Sequence, residues 1–184
     1  MPLLKKPLFS KPVDATDAVL AWARYSAKNN RNGTRPWLYT QGPERLDYLY
    51  KPFALRIKTD CSGACLSWAS WAGVDIARLG GPGYTGTMLQ AGKQIAQKDV
   101  RPGDFVFFGD GTADHVALVM EVHGQNILTL SHGQQGDPSW VWVNKPEGPL
   151  LPQNASVTAY DGRKPQRFMR YNLVANTVKF PPAS

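Results

Sequence analysis

Apolar positions in the first half of the chain recur at helical spacing, whereas in the second half they alternate or run together in short stretches. In DATDAVLAWARYSAKNN, Val19, Leu20, Trp22, Ala23 and Tyr25 follow capping Asp and Thr residues, which predicts a helix over about 15–28. NRNGTRPWLYTQGPERL is a loop by its Asn, Gly and Pro content, and Asp47 to Lys58 fits neither period. From Cys61 to about Gly73 the chain is apolar nearly all the way round. That is the pattern of a buried helix, with Gly73 standing where a helix stops. GGPGYTG is another loop, and TGTMLQAGKQIA predicts a short third helix.

After RPGD the period changes. FVFFG reads as a short buried strand, followed by HVALVMEV, NILTLSHG and the alternating WVWVN, with RFMRYNL offering a fifth. Helices first and an antiparallel meander second is an α+β pattern. At 184 residues the chain is one ordinary domain. We expect an extended lead-in over 1–14, a single domain over 15–174 and a linker or frayed tail over 175–184. No internal repeat is visible.

Charge narrows the partners. The chain carries a net charge of +7, which suits an anionic polymer, lipid or nucleic acid. Its cations are scattered and none of the usual nucleic-acid motifs is present, so nucleic acid is not the expected partner. No apolar run is long enough to insert in a membrane. The N-terminus lacks the apolar core of a secretory signal, so synthesis in a cytoplasm is expected. A monomer is the default. The two cysteines, Cys61 and Cys65, share a helix face in a geometry that suits a disulfide poorly. They are expected as thiols, with no metal site and no cofactor.

Candidate chemistry gathers at TDCSGACLSWASWAG. Asp60 is a good N-cap, which puts Cys61 at the first helical position, where unpaired N–H groups and the helix dipole favour a thiolate. Gly63 is expected to keep bulk away from the sulfur, and backbone N–H groups there are suited to an oxyanion. Cys65, one turn inside, reads as inert. A cysteine nucleophile needs a base. His115 opens a strand directly after a turn, at a sheet rim, while His123 lies in a hairpin turn and reads as exposed. If His123 and Gly124 form that turn, His115 lies opposite His132. If Gly124 and Gln125 form it, His115 lies opposite Gln134. Either residue suits the task of orienting an imidazole, and a bulge would change the register.

TDCSGACLSWASWAGV followed by VRPGDFVFFGDGTADHVALVMEV resembles the NlpC-type cell-wall cysteine peptidases, a papain-like group. The resemblance covers roughly residues 17–143. It implies a papain-like core, with the nucleophile helix packed on the meander. It also implies acyl transfer to Cys61, with His115 as base and then acid and His132 as orienting residue. RPWLYTQG resembles the family's aromatic loop, which would place Trp37 and Tyr39 along the cleft, with Asp60 and Ser62 as further site candidates. His132 follows the base by seventeen positions rather than the family's dozen or so, which keeps Gln134 in play. The implied substrate is the stem peptide of bacterial peptidoglycan, cut between D-glutamate and a diamino acid. A phage lysin, made in the host cytoplasm and acting on the wall after release or from the virion, fits the apparent lack of a signal. The related amidase-peptidases, a papain-like acyltransferase or deamidase, and an inactive wall-binding domain are the alternatives.

Overall fold

The computed structural model describes residues 11–30, 37–133, 138–143 and 166–183. Its first half holds β1 (Val13–Asp14), α1 (Thr16–Asn30), β2 (Trp37–Tyr39), β3 (Ile57–Thr59), α2 (Cys61–Trp71) and α3 (Thr85–Ala91). Then come β4 (Lys93–Ile95), β5 (Phe105–Phe108), β6 (His115–His123), β7 (Asn126–Ser131), β8 (Ser139–Val143), β9 (Gln166–Arg170) and β10 (Val174–Ala175). Short 3-10 turns at Pro43–Leu46, Ile76–Leu79 and Gln97–Asp99 punctuate the connections. The α+β class expected from the sequence is the one observed. Among the described residues no helix is long and apolar enough to cross a membrane.

The main sheet has the order β4-β9-β5-β6-β7-β8. Strands β5 to β8 form the expected meander, and β9 returns antiparallel to the free flank of β5. Alternation divides the strands between two clusters. Phe105, Phe107, Val116, Leu118, Met120 and Leu130 belong to the cluster built around α2. Val106, Phe108, Ala117, Val119, Ile127 and Val143 belong to the second. Both faces are therefore buried, which is why FVFF is apolar throughout rather than alternating.

Helix α2 is the centre of the first cluster. Ten of its eleven residues are buried, so it has no solvent face to make polar. Helix α1 packs on it through Trp22, whose ring centroid is 5.6 Å from that of Trp71. Trp68 Nε1 donates to Ser26 Oγ at 3.1 Å, and Ser26 in turn donates to the Trp22 carbonyl. These bonds give buried polar groups partners inside the helix pair.

Three expectations need correction. The third helix ends at Ala91, because Gly92 turns extended and Lys93–Ile95 pairs with β9. Tyr171 packs against Gly92, where a Cβ would meet its ring carbons at 2.8–3.0 Å, and its hydroxyl donates to the Met88 carbonyl. The β6–β7 hairpin pairs His123 with Asn126, so Gly124 and Gln125 form the turn, with Gly124 at φ +64°. A bulge between Val119 and Glu121 then shifts the register to Leu118 opposite Leu130. The β6–β7 pairing ends there, three residues short of His115, whose strand partner is Phe108 on β5.

The third correction concerns the C-terminus, read as a linker or frayed tail from 175. Strand β10 pairs with β1, joining Val13 to Ala175. Lys179 N donates to the Ala72 carbonyl at 3.1 Å, and the Lys179 carbonyl accepts from Trp22 Nε1 at 2.9 Å. The segment crosses Gly73 so closely that a Cβ there would collide with the Thr177 carbonyl. Gly73 also sits at φ +94°, a second reason for glycine. Ending the chain at Val174 removes both hydrogen bonds and uncovers the α1–α2 seam. The expected loss is about 2–3 kcal/mol in urea unfolding. A frayed tail would leave the midpoint unchanged.

Candidate active site

The start of α2 is organised by one carboxylate oxygen. Asp60 is extended at φ −108°, ψ −173°, the N-cap conformation the sequence predicts. Its Oδ1 accepts from Gly63 N at 2.6 Å, Ser62 Oγ at 2.8 Å and Arg45 Nη1 at 3.2 Å. Asp60 and Ser62 are buried and bonded to each other, so their side chains are not left free to meet a substrate. Both serve the helix end instead.

Arg45 is the site residue that sequence reasoning missed. It lies in the Pro43–Leu46 turn and is only 2% exposed. Besides Asp60, its Nη1 lies 3.3 Å from Ser62 Oγ, and its Nη2 donates to the Gly83 carbonyl at 2.6 Å. Its guanidinium carbon sits 3.7 Å above the Tyr84 ring. Its own carbonyl accepts from Thr59 Oγ1 at 2.8 Å. A charged residue in a loop carries no periodic signal. The only clue in the sequence was a capping aspartate entering a helix that is apolar on every side, since such a carboxylate needs a buried cation.

These contacts also revise the reading of Gly63. A Cβ there would collide with Thr59 Oγ1 and come within 3.0 Å of the Arg45 carbonyl. Gly63 lets the chain behind the helix approach; room around the sulfur is not its reason.

Cys61 is the first residue of α2, as predicted, and only 3% exposed. Burial pushes its thiol up to about 12, and the neighbouring Asp60 charge adds to that. Backbone hydrogen bonds from Val116, Ser62 and Cys61 itself pull the other way. The expected lowering by the helix end is thus present but outweighed by desolvation. The thiol at rest is neutral. Cys65 is fully buried, and burial raises its thiol well above the ordinary range. Both are free cysteines.

The bond from Val116 brings the Cys61 sulfur beside the residue that follows His115. His115 opens β6, is buried, and stands across the strand pair from Phe108, with ring centroids 5.9 Å apart. His132 lies just past β7, fully buried, with its ring 5.3 Å from Trp37 and 5.7 Å from Tyr39. Trp37 is a core residue rather than a cleft wall: it is buried against Trp68 and Trp71. Tyr39 is half-buried and accepts a 3.3 Å hydrogen bond from Gln41, so it keeps a surface to offer. His123 is exposed, as expected, and pairs with Glu121 at 3.2 Å. Gln134 lies outside the described residues. Among the described residues no group of three His, Cys, Asp or Glu is placed to hold a metal.

Comparison with known proteins gives a family match: the NlpC/P60 family, at residues 37–138. Peptidoglycan endopeptidase RipA of Mycolicibacterium smegmatis is 31% identical over 61 residues, which are 33% of this chain and 11% of that protein. The chain thus matches only about a tenth of that relative's length. Among solved structures, RipD of Mycobacterium tuberculosis is described as a non-catalytic NlpC/p60 domain protein adapted to a peptidoglycan-binding function. It matches with TM-score 0.50 and 20% identity, covering 86% of this chain and 98% of its own. The P60 domain of an antigen from M. avium subspecies paratuberculosis matches with TM-score 0.45 and 19% identity, covering 84% and 94%.

A buried thiol raised from 9.0 to about 12 makes stability depend on alkaline pH. The folded thiol keeps its proton to higher pH than the unfolded one. Its contribution is therefore complete below pH 9 and is lost as pH rises toward about 12. Between pH 8 and 10, urea unfolding of wild type should lose about 1 kcal/mol more than that of Cys61→Ala. Equal slopes for the two proteins would mean that the thiol titrates normally.

Proposed function

Because the chain belongs to the NlpC/P60 family, we propose that it is a peptidoglycan hydrolase, a cysteine endopeptidase acting on stem peptides. One observation carries the reading. Cys61 opens the buried central helix α2 and His115 opens β6, the strand on which that helix packs, and both residues are buried. The similarity to a relative named a peptidoglycan endopeptidase supports the choice of substrate, and a net charge of +7 suits an anionic wall.

The chemistry follows from a neutral thiol. His115 takes the Cys61 proton as the sulfur attacks the peptide carbonyl, rather than meeting a thiolate already formed. Backbone N–H groups at the helix start face the developing oxyanion. The tetrahedral intermediate collapses to a thioester as His115 passes its proton to the leaving amine. Water, deprotonated by His115, then attacks the thioester, releasing the acid and restoring the thiol. His132 orients the His115 imidazole, with Gln134 as the alternative orienting residue, and Tyr39 lies beside His132 with a surface to offer the substrate. A D-glutamyl–diamino acid bond is the proposed point of cleavage.

A second reading has an observation of its own. Cys61 is nearly inaccessible and its thiol is held protonated, which suits a domain that binds peptidoglycan without cutting it. RipD, similar in fold, is described in those terms.

Purified peptidoglycan treated with wild type and with Cys61→Ala separates the two. The peptidase reading expects wild type to release stem-peptide fragments, identified by mass spectrometry, and Cys61→Ala to release them about 10³-fold more slowly or not at all. Sedimentation of both proteins with the wall, and no fragments from either, would replace it with the binding reading. Equal release by both proteins would remove Cys61 from the mechanism.

A further inference from the structure

The helix start holds more charge than a cap needs. Asp60 Oδ1 already accepts from Gly63 N and Ser62 Oγ, which satisfies the end of α2. A neutral side chain would have served that purpose, since asparagine caps about as well as aspartate. Instead a carboxylate is buried next to the reactive sulfur, where its charge opposes thiolate formation. A buried cation, Arg45, is brought to it from a separate turn fifteen residues away. The Arg45–Asp60 pair is 3% exposed on both sides, so solvent screens it little.

We infer that Arg45 is a positioning residue for Cys61: its guanidinium, paired with the carboxylate directly before the thiol, offsets part of the Asp60 charge, so that the thiol gives up its proton more readily than beside an unpaired carboxylate. The helix start adds a field of its own that favours a developing negative charge. Other titratable groups around the sulfur are Cys65 on the same helix and His115 on β6. His132 stands beyond them against Tyr39. None of these is a fixed cation, and Arg45 is.

The guanidinium also ties the loop before α3 to the helix start. Its bond to the Gly83 carbonyl and its stacking on Tyr84 hold the loop before α3, and the Tyr84 hydroxyl reaches the Gln41 carbonyl at 3.2 Å. A purely structural role would rest on these directional contacts. A charge role would survive replacement by any cation that reaches Asp60.

The inference rests on Cys61 being a reactive thiol, yet its test reads the thiol and not hydrolysis, so it stands or falls separately from the peptidase reading. The rate of Cys61 alkylation by iodoacetamide is followed between pH 6 and 9, with peptide mapping to separate it from Cys65. Asp60→Asn keeps the cap and leaves Arg45 unopposed, so alkylation should accelerate about tenfold or more. Adding Arg45→Gln should return the rate to within about threefold of wild type, because no net local charge remains. Asp60→Asn with Arg45→Lys should stay as fast as Asp60→Asn alone. Asp60→Asn/Arg45→Gln leaves no buried charge unpaired, so its folding does not depend on the broken pair, and circular dichroism of each variant confirms that it is folded before alkylation is compared. Two outcomes overturn the inference: Asp60→Asn no faster than wild type, or Asp60→Asn/Arg45→Gln as fast as Asp60→Asn. Either would leave Arg45 a purely structural tie.

Discussion

A single buried oxygen, Asp60 Oδ1, determines where the candidate nucleophile sits. It accepts the Gly63 N–H that begins α2, the Ser62 hydroxyl and the Arg45 guanidinium. Each bond has a different consequence. The first sets the helix start and so the position of Cys61. The second closes the helix end against solvent. The third draws the Pro43–Leu46 turn and, through Gly83, the loop before α3 around that end. Breaking a buried ion pair by removing one partner generally costs about 3–5 kcal/mol. A site built this way is therefore rigid because it is expensive to leave incomplete.

That rigidity has an electrostatic consequence for the thiol. A helix start and three backbone hydrogen bonds favour the thiolate, while desolvation and the Asp60 charge disfavour it. At 3% exposure desolvation outweighs the other contributions and holds the thiol above its ordinary range.

Much of this arrangement is legible in the sequence because it follows from periodicity. The apolar run after TDCSG identifies a helix without a solvent face, and Asp60 identifies its first turn. The changes from helical spacing to FVFF, HVALVMEV and NILTLS identify the sheet and its connections. What periodicity does not carry was missed or misplaced. Arg45 is a lone cation in a loop, and only the tertiary fold brings it to Asp60. The Val119–Glu121 bulge shifts the β6–β7 register by one place and leaves no mark in the residues themselves. Trp37 reads equally well as a cleft aromatic or a core one, and Trp68 and Trp71 claim it for the core. The Pro-bearing C-terminal segment looks loose until Ala72 and Trp22 are seen to bond to Lys179.

The central claim is that Cys61 carries the acyl group in a covalent intermediate. Rapid acid quench during turnover of a synthetic stem peptide, followed by intact mass and peptide mapping, tests it most directly. The account predicts an adduct with the mass of the acyl half of the substrate, located on the peptide containing Cys61 and cleaved by hydroxylamine. Turnover without any such adduct, undiminished when Cys61 is replaced by alanine, would contradict it.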